Sequence, residues 1–425
     1  MKKSAWVIGL AAAVALVLAA ALLVAGNTGP GRAMIERATY RLTAGHVRMS
    51  GLDGSFPVHL TLARLQLIDD RGIWLTAEQV AVDWSPLALL DWRVKVDALT
   101  VARLDMERRP LAQATSGGVP MPSIEVERFT IGVFNLGAQL AGTPATLRVQ
   151  GGVRLRTLDD ASADLEAHRT DGDGDYTLHL RFDPVRMDAT LEAHEPASGP
   201  LENILQLPGL GALSAHLKMN GPRNAERLTL VLDAGDLRAR AQGSVNLAQY
   251  AGDLEYSLEA PAMRPSAAIE WQRLALHGRW QGAVAAPDAD GQLDIAGLRL
   301  AGGIGIASLR ASLKASGGTA AAQALVNGIE IPGPKPMLLA RDPLQLDVSV
   351  RLNEAARPIT LSMTHRLFSL RVQAASAGQQ GAALDLRLPD VAPFAALAGQ
   401  DLHGSATIKA QLVRRRAEVG LSVDA

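Results

Sequence analysis

The residues best spaced for chemistry are three aspartates. Asp171, Asp173 and Asp175 in DGDGDY imitate the opening of a calcium loop. Such a loop needs Gly at its sixth position and Glu at its twelfth. Those places hold Tyr176 and Phe182, on an alternating run, so the segment reads as a solvated hairpin turn. The nine histidines form no HExxH pair or ligand cluster, and His59 and His179 fall on polar positions of strand-like runs. No GxSxG elbow occurs. Gly29-Pro30-Gly31-Arg32 lacks the lysine and length of a phosphate loop, and Gly302-Gly303-Ile304-Gly305 departs from dinucleotide spacing. Nothing converges on a reaction. The chain reads as non-enzymatic, with no catalytic residue, metal site or cofactor expected.

Trp84, Trp92, Trp271 and Trp280 offer stacking surfaces, but packing is the default role of tryptophans on or beside strands. Arg414-Arg415-Arg416 could meet lipid phosphates, although a solvated strand face fits better. The 42 basic and 43 acidic residues leave a formal charge of −1, so no basic surface invites nucleic acid. Without cysteine there is neither a disulfide framework nor a thiolate metal site. Aromatics are 4% of a chain that is 48% hydrophobic, so its apolar faces are aliphatic and resemble a bilayer interior more than a sugar- or base-stacking surface.

The elements that position these side chains begin at an uncharged run. Behind Lys2 and Lys3 (a cytoplasmic tip, residues 1–4), residues 5–26 carry no charge. About 20 such residues span a bilayer, whereas a signal-peptide core runs only about 7–15. This predicts an uncleaved transmembrane anchor. Lys2 and Lys3 favour a cytoplasmic N-terminus despite Arg32, Arg37 and Arg41 beyond the other end. Residues 27–45 predict a helix breaker and then a short amphipathic helix, with Met34, Ile35 and Leu42 apolar.

From residue 46 to 425 the sequence alternates with period two. Val58, Leu60 and Leu62 form one set, with Leu65 and Leu67 resuming after a slip that predicts a bulge. Val80 and Val82, then Leu228 and Leu230, and Leu346 and Val348 belong to later sets. Gly, Pro, Asp and Asn turns between the runs predict an antiparallel meander with one apolar face. Leu201–Leu207 and Val391–Ala398 read as short helices leading into new strands, a weak internal repeat. Sub-boundaries are expected near 115–122, 200–212, 331–336 and 390–404.

An exposed row of Leu and Val would aggregate, so the apolar face must be covered. A sandwich, a barrel and a curled gutter all satisfy this, and periodicity does not separate them. A gutter would take acyl chains, at about 0.8 kcal/mol per buried methylene.

The run NTGPGRAMIERATYRLTAGHVRMSGLDGSFP (Asn27–Pro57) resembles the inner-membrane subunit of the translocation and assembly module (TamB), within the AsmA-like group. So does Leu60–Pro110, with its Asp69-Asp70-Arg71-Gly72 turn, Trp74-Leu75, Val82-Asp83-Trp84-Ser85-Pro86 and closing Arg103-Leu104 to Arg109-Pro110. The resemblance implies an inner-membrane protein with its bulk in the periplasm, a mainly β fold curled into a hydrophobic, taco-like groove, and work in outer-membrane biogenesis. Two roles follow from it: phospholipid transport between membranes, or scaffolding of outer-membrane protein assembly and autotransporter secretion with a barrel partner. The domain that reaches that partner has no counterpart here, as expected for a fragment, a truncated product or a short version. Expected partners are the inner membrane and phospholipid acyl chains. The groove candidates are Val58, Leu60, Leu62, Val80, Val82, Leu228, Leu230, Leu346 and Val348.

Overall fold

The computed structural model of the chain describes residues 26–111, 122–157, 159–204, 211–284, 286–375, 381–415 and 418–424, with side chains to residue 411 except Ala398. The expected span over residues 5–26 therefore lies outside the described residues but for Gly26. Among the described residues no helix is long and apolar enough to cross a membrane. The protein is mainly β, and it divides into two compact units that part between residues 207 and 215.

The first unit opens with helix α1 (Gly29–Leu42), where the amphipathic helix was expected. Nine strands follow: β1 (Val47–Ser55), β2 (His59–Asp69), β3 (Gly72–Trp84), β4 (Arg93–Met106), β5 (Ser123–Leu136), β6 (Ala145–Thr157), β7 (Asp160–Arg169), β8 (Asp175–Phe182) and β9 (Arg186–Glu195). Each pairs with the next. All these pairs are antiparallel except β4 and β5, which run parallel. That departs from the expected simple meander, because the connection 107–122 must return to the starting end of β4 before β5 begins.

Helix α1 covers the open edge of β1 with polar groups. The Leu52 amide donates to Glu36 Oε1 at 2.8 Å, and Arg32 Nη2 donates to the Gly54 carbonyl at 2.9 Å. Edge groups satisfied in this way cannot recruit another strand. At the far end, α2 (Ala138–Ala141) and α3 (Pro200–Ile204) meet where Asn203 Nδ2 donates to the Ala141 carbonyl at 2.8 Å. Buried Glu195 accepts from the Leu201 and Glu202 amides and from the Tyr176 hydroxyl, and burial pushes that phenol's pKa up.

The second unit, from Ala215 on, contains most of β10 (Leu213–Pro222), then β11 (Glu226–Ala234), β12 (Leu237–Asn246) and β13 (Ala251–Ala260). A side hairpin follows, β14 (Met263–Ser266) and β15 (Ile269–Trp271). The succession resumes with β16 (Arg273–Ala283), β17 (Ala286–Leu300), β18 (Ile304–Ser316), β19 (Thr319–Glu330) and β20 (Leu344–Arg351). It ends with β21 (Pro358–His365), β22 (Phe368–Ala375), β23 (Gly381–Leu388), helix α4 (Ala392–Ala395), β24 (Ala406–Arg415) and β25 (Glu418–Asp424). From β11 to β25, apart from the side hairpin, every described pairing is antiparallel and β13 pairs directly with β16. The Gly302-Gly303 pair, far from a nucleotide, makes the β17–β18 turn with φ of 82° and 83°. Successive positive φ values are what a tight hairpin demands and what glycine supplies freely.

The expected slip after Leu62 is larger than one strand. Gly51, Ala63, Gln79, Ala102 and Gly132 stand out of the pairings at one level across β1 to β5. Each strand carries one extra residue there, and Gln79 takes φ of 49° to accommodate it. Leu65, Ala77 and Leu104 consequently return to the face of Leu62, Val80 and Val101. β6 has no extra residue, so the register shifts between Ile131 and Phe134 where the line ends.

Candidate functional site

Antiparallel pairing places opposite residues on the same face, so the alternation of each strand propagates across the sheet. In the second unit one row runs Leu230, Ala241, Tyr256, Gly278, Gly291, Leu313, Ala322, Val348, Leu361, Val372, Leu384, Ala410. Twelve strands contribute and none supplies a charge. Two residues to one side, Leu293, Ala311, Ala324, Leu346 and Met363 belong to a parallel apolar row. To the other side lies Leu228, in a row that continues through Leu254, Trp280 and Ala289. At about 4.8 Å per strand each row follows roughly 50 Å of arc.

Small residues alternate with large ones along these rows, and aromatics lie over the smallest. The Tyr256 hydroxyl stands 2.7 Å from where a Cβ on Gly278 would be and 3.0 Å from one on Gly291. Any side chain at either glycine would displace the ring. The large members of the rows are half-buried: neither dry, as between two stacked sheets, nor open, as on a flat ribbon. One border is tighter, with Met263, Leu298, Val326 and Ile329 buried. There His365 is also buried, 5.5 Å from Phe368, which meets Phe394 at 6.5 Å.

The opposite face is a ladder of charge. Arg279 grips Asp253 with two bonds of 2.8 and 3.0 Å and holds its carboxyl below the usual range. Two depressions, about 570 and 510 Å³, lie on this side. Arg240, Gln242, Glu255 and Arg279 line one, with Leu230 and Tyr256 also at its edge, and Asp294, Arg310, Gln323 and Asp347 line the other, with Leu293 and Leu346 beside them. The charged side chains there do not suit an acyl chain. The large side chains of the apolar rows form a half-covered surface.

A family model described as "YdbH-like: Intermembrane phospholipid transport protein YdbH" matches residues 17–418. The chain belongs to the YdbH-like family. No curated protein and no solved structure matches it. The matching model is thus YdbH-like, an AsmA-like relative, rather than the translocation-and-assembly subunit that the N-terminal motifs resemble.

In this YdbH-like chain the candidates from the sequence fall into two groups. Leu228, Leu230, Leu346 and Val348 share the apolar face of the second unit. Leu60, Leu62, Val80 and Val82 share that of the first, through the pairs Leu60–Val82 and Leu62–Val80. There Val80 is fully packed with Ala77 and Val101. Val58 belongs to neither group. It lies in the β1–β2 turn, where its amide closes on the Ser55 carbonyl at 3.1 Å, and it is more than half exposed.

The chemical decoys resolve into local pairs. Asp171 bonds Arg169 at 3.1 Å, and Asp175 pairs with His168 across the β7–β8 hairpin. Burial works to raise the Asp171 carboxyl, but the Arg169 bond, backbone bonds and the guanidinium's charge together outweigh it and the pKa is lowered. His59 and His179 are exposed and pair with Asp83 and Asp164. Trp84 Nε1 donates to the Pro57 carbonyl and Trp271 Nε1 to that of Pro261. The side chains of Arg414–Arg416 lie outside the described residues. What sequence reasoning missed is the glycine gap beneath Tyr256, whose signal was the misplaced Gly278 and Gly291 within strand runs.

Proposed function

We propose that this chain carries phospholipid between membranes, with acyl chains laid along the half-buried apolar rows of the second unit and headgroups left to water. The observation that carries the reading is the unbroken row from Leu230 through Val348 to Ala410, uncharged across twelve strands. An acyl chain in water costs on the order of 10 kcal/mol, at about 0.8 kcal/mol per methylene. On an aliphatic surface most of that cost disappears, so movement from a bilayer onto the rows is close to neutral. A conduit needs that balance, since tight binding would stop flow. Membership of a family described by intermembrane phospholipid transport supports the reading.

In this proposal residues 5–26 anchor the chain in the inner membrane, the remainder works in the periplasm, and no chemical step is performed. Purification without detergent followed by lipid mass spectrometry tests it. Phospholipid should accompany the wild-type chain, and Leu230→Asp or Val348→Asp should lose it while remaining folded. Unchanged lipid content in both variants overturns the groove. Crosslinks to an outer-membrane barrel without bound lipid would instead favour the scaffold of a translocation and assembly module.

A further inference from the structure

At one end of the first unit the turns are greasy where turns are normally polar. Between β3 and β4, Pro86–Asp91 forms a 3-10 turn on which Leu87 is 78%, Leu90 85% and the following Trp92 57% exposed. Trp92 stands at φ of 57°, a left-handed conformation unusual for so bulky a residue, so the backbone holds this ring outward at a cost. The β1–β2 turn lies alongside: the Trp84 amide donates to the Val58 carbonyl at 3.0 Å, and the Val58 side chain is also exposed. Several charges near the turn are paired. Arg93 pairs with Asp91 at 2.9 Å, Lys95 with Glu127 at 2.8 Å, and Arg32 with Asp53 at 2.5 Å.

The uncharged run of residues 5–26 joins the unit at this same end. A Cβ on Gly26 would collide with the Phe56 ring, and its carbonyl accepts from Arg32 Nε at 2.9 Å. Asn27 binds both the amide and the carbonyl of Phe56, at 3.1 and 2.9 Å. The chain therefore enters beside the β1–β2 turn, one strand from the leucine-rich one. A bilayer holding residues 5–26 would meet Leu87, Leu90 and Trp92 first, and tryptophan with neutral leucine-rich surroundings is what a membrane interface accepts.

We propose that the 86–92 turn, with Val58, is a membrane-docking element seated in the bilayer that receives residues 5–26, bringing the apolar face of the first unit to the lipid surface. This rests on reading residues 5–26 as an anchor and the chain as a lipid carrier. Because binding is apolar, raising the salt should leave it in place.

The chain has no cysteine, so single probes are clean. Leu90→Cys and, at the opposite end of the unit, Ile73→Cys would carry a polarity-sensitive fluorophore in the full chain, reconstituted into phosphatidylethanolamine–phosphatidylglycerol vesicles. The Leu90 probe should shift to the blue and be quenched by lipid-borne quencher about threefold more than the Ile73 probe. Equal, water-like emission at both sites overturns the docking. So does a Leu90 probe hidden from aqueous quencher but untouched by the lipid-borne one, which would mean a second copy or another protein covers the turn. A chain that fails to float with vesicles also counts against it, by removing the anchor. Lipid content measured on the same samples separates the two readings. Bound phospholipid with a water-exposed Leu90 sinks the docking alone, and a lipid-seated Leu90 without bound phospholipid sinks the carrier alone.

Discussion

The patch around Val80 and the band around Val348 use the same residue types in the same alternation, yet one is packed dry and the other half-open. The difference lies in the register. In the first unit, one extra residue in each of five adjacent strands brings Leu65 and Leu104 onto the face of Leu62 and Val101 and sharpens the local coil, so that Ala77, Val80 and Val101 close on one another. In the second, the extra residues Gly297, Ala307 and Gly328 stand at the tight border beside Leu298, Val326 and Ile329, while the rows through Leu230 and Leu346 lie clear of them, with alanines and glycines between the large side chains. Hydrophobicity alone does not make a core. A core also needs the rows to converge.

The contrast breaks most visibly at Val80. Val80→Asp places a carboxylate in the packed patch and should cost about 3–5 kcal/mol, read as an early thermal or denaturant transition. Val348→Asp, on the half-open band, should lower stability by only about 1 kcal/mol, because water still reaches the site. Its large effect should be on bound lipid. If both variants unfold alike, the distinction between the two faces is wrong.

Filling the gaps sharpens the comparison. Ala324→Leu, beside Leu346, should leave the melting temperature level or slightly raised, since added apolar surface finds room on a half-covered face. Lipid capacity should drop in the same sample, as judged by mass spectrometry against protein.

Acid provides a smaller lever in the first unit. Asp69 is buried against Arg108, with bonds of 2.5 and 2.7 Å, and accepts further from the Arg71 and Leu111 amides. The Arg108 guanidinium holds its carboxyl well below the usual carboxylate range. A depressed pKa contributes stability that is complete above the unfolded value, about 3.9, and is lost as pH falls toward the folded one. Asp69→Asn should therefore be less stable than wild type at pH 7, with the gap narrowing in strong acid. Denaturant melts at neutral and acidic pH would check it, and a gap that widens in acid contradicts it. Smallest of all, Arg279→Ala on the charged ladder of the second unit should barely move the melting temperature, because exposed pairs of this kind contribute little.

Much of the fold was legible in the residues. The alternation of Leu228 and Leu230, or of Leu346 and Val348, announced strands with one apolar face, and the Gly, Pro, Asp and Asn residues between the runs announced turns. The short helices near Leu201 and Val391 were readable from helical spacing. At Val58 the pattern alone does not tell the first residue of a strand from the last of a turn, and the structure places it in the turn. Trp92 reads as packing from its type alone, yet it is exposed, since exposure is not written in a residue's type.

By itself, then, the sequence determined which elements form and which side of each strand is greasy, because both follow from local sterics and a period of two. Only the tertiary structure decided which greasy residues touch each other. Whether strands run parallel, as β4 and β5 do, where five extra residues line up, and whether a valine ends dry like Val80 or half-wet like Val348 depend on partners far along the chain. Convergence of rows is a property of several strands at once, and no single stretch of residues encodes it.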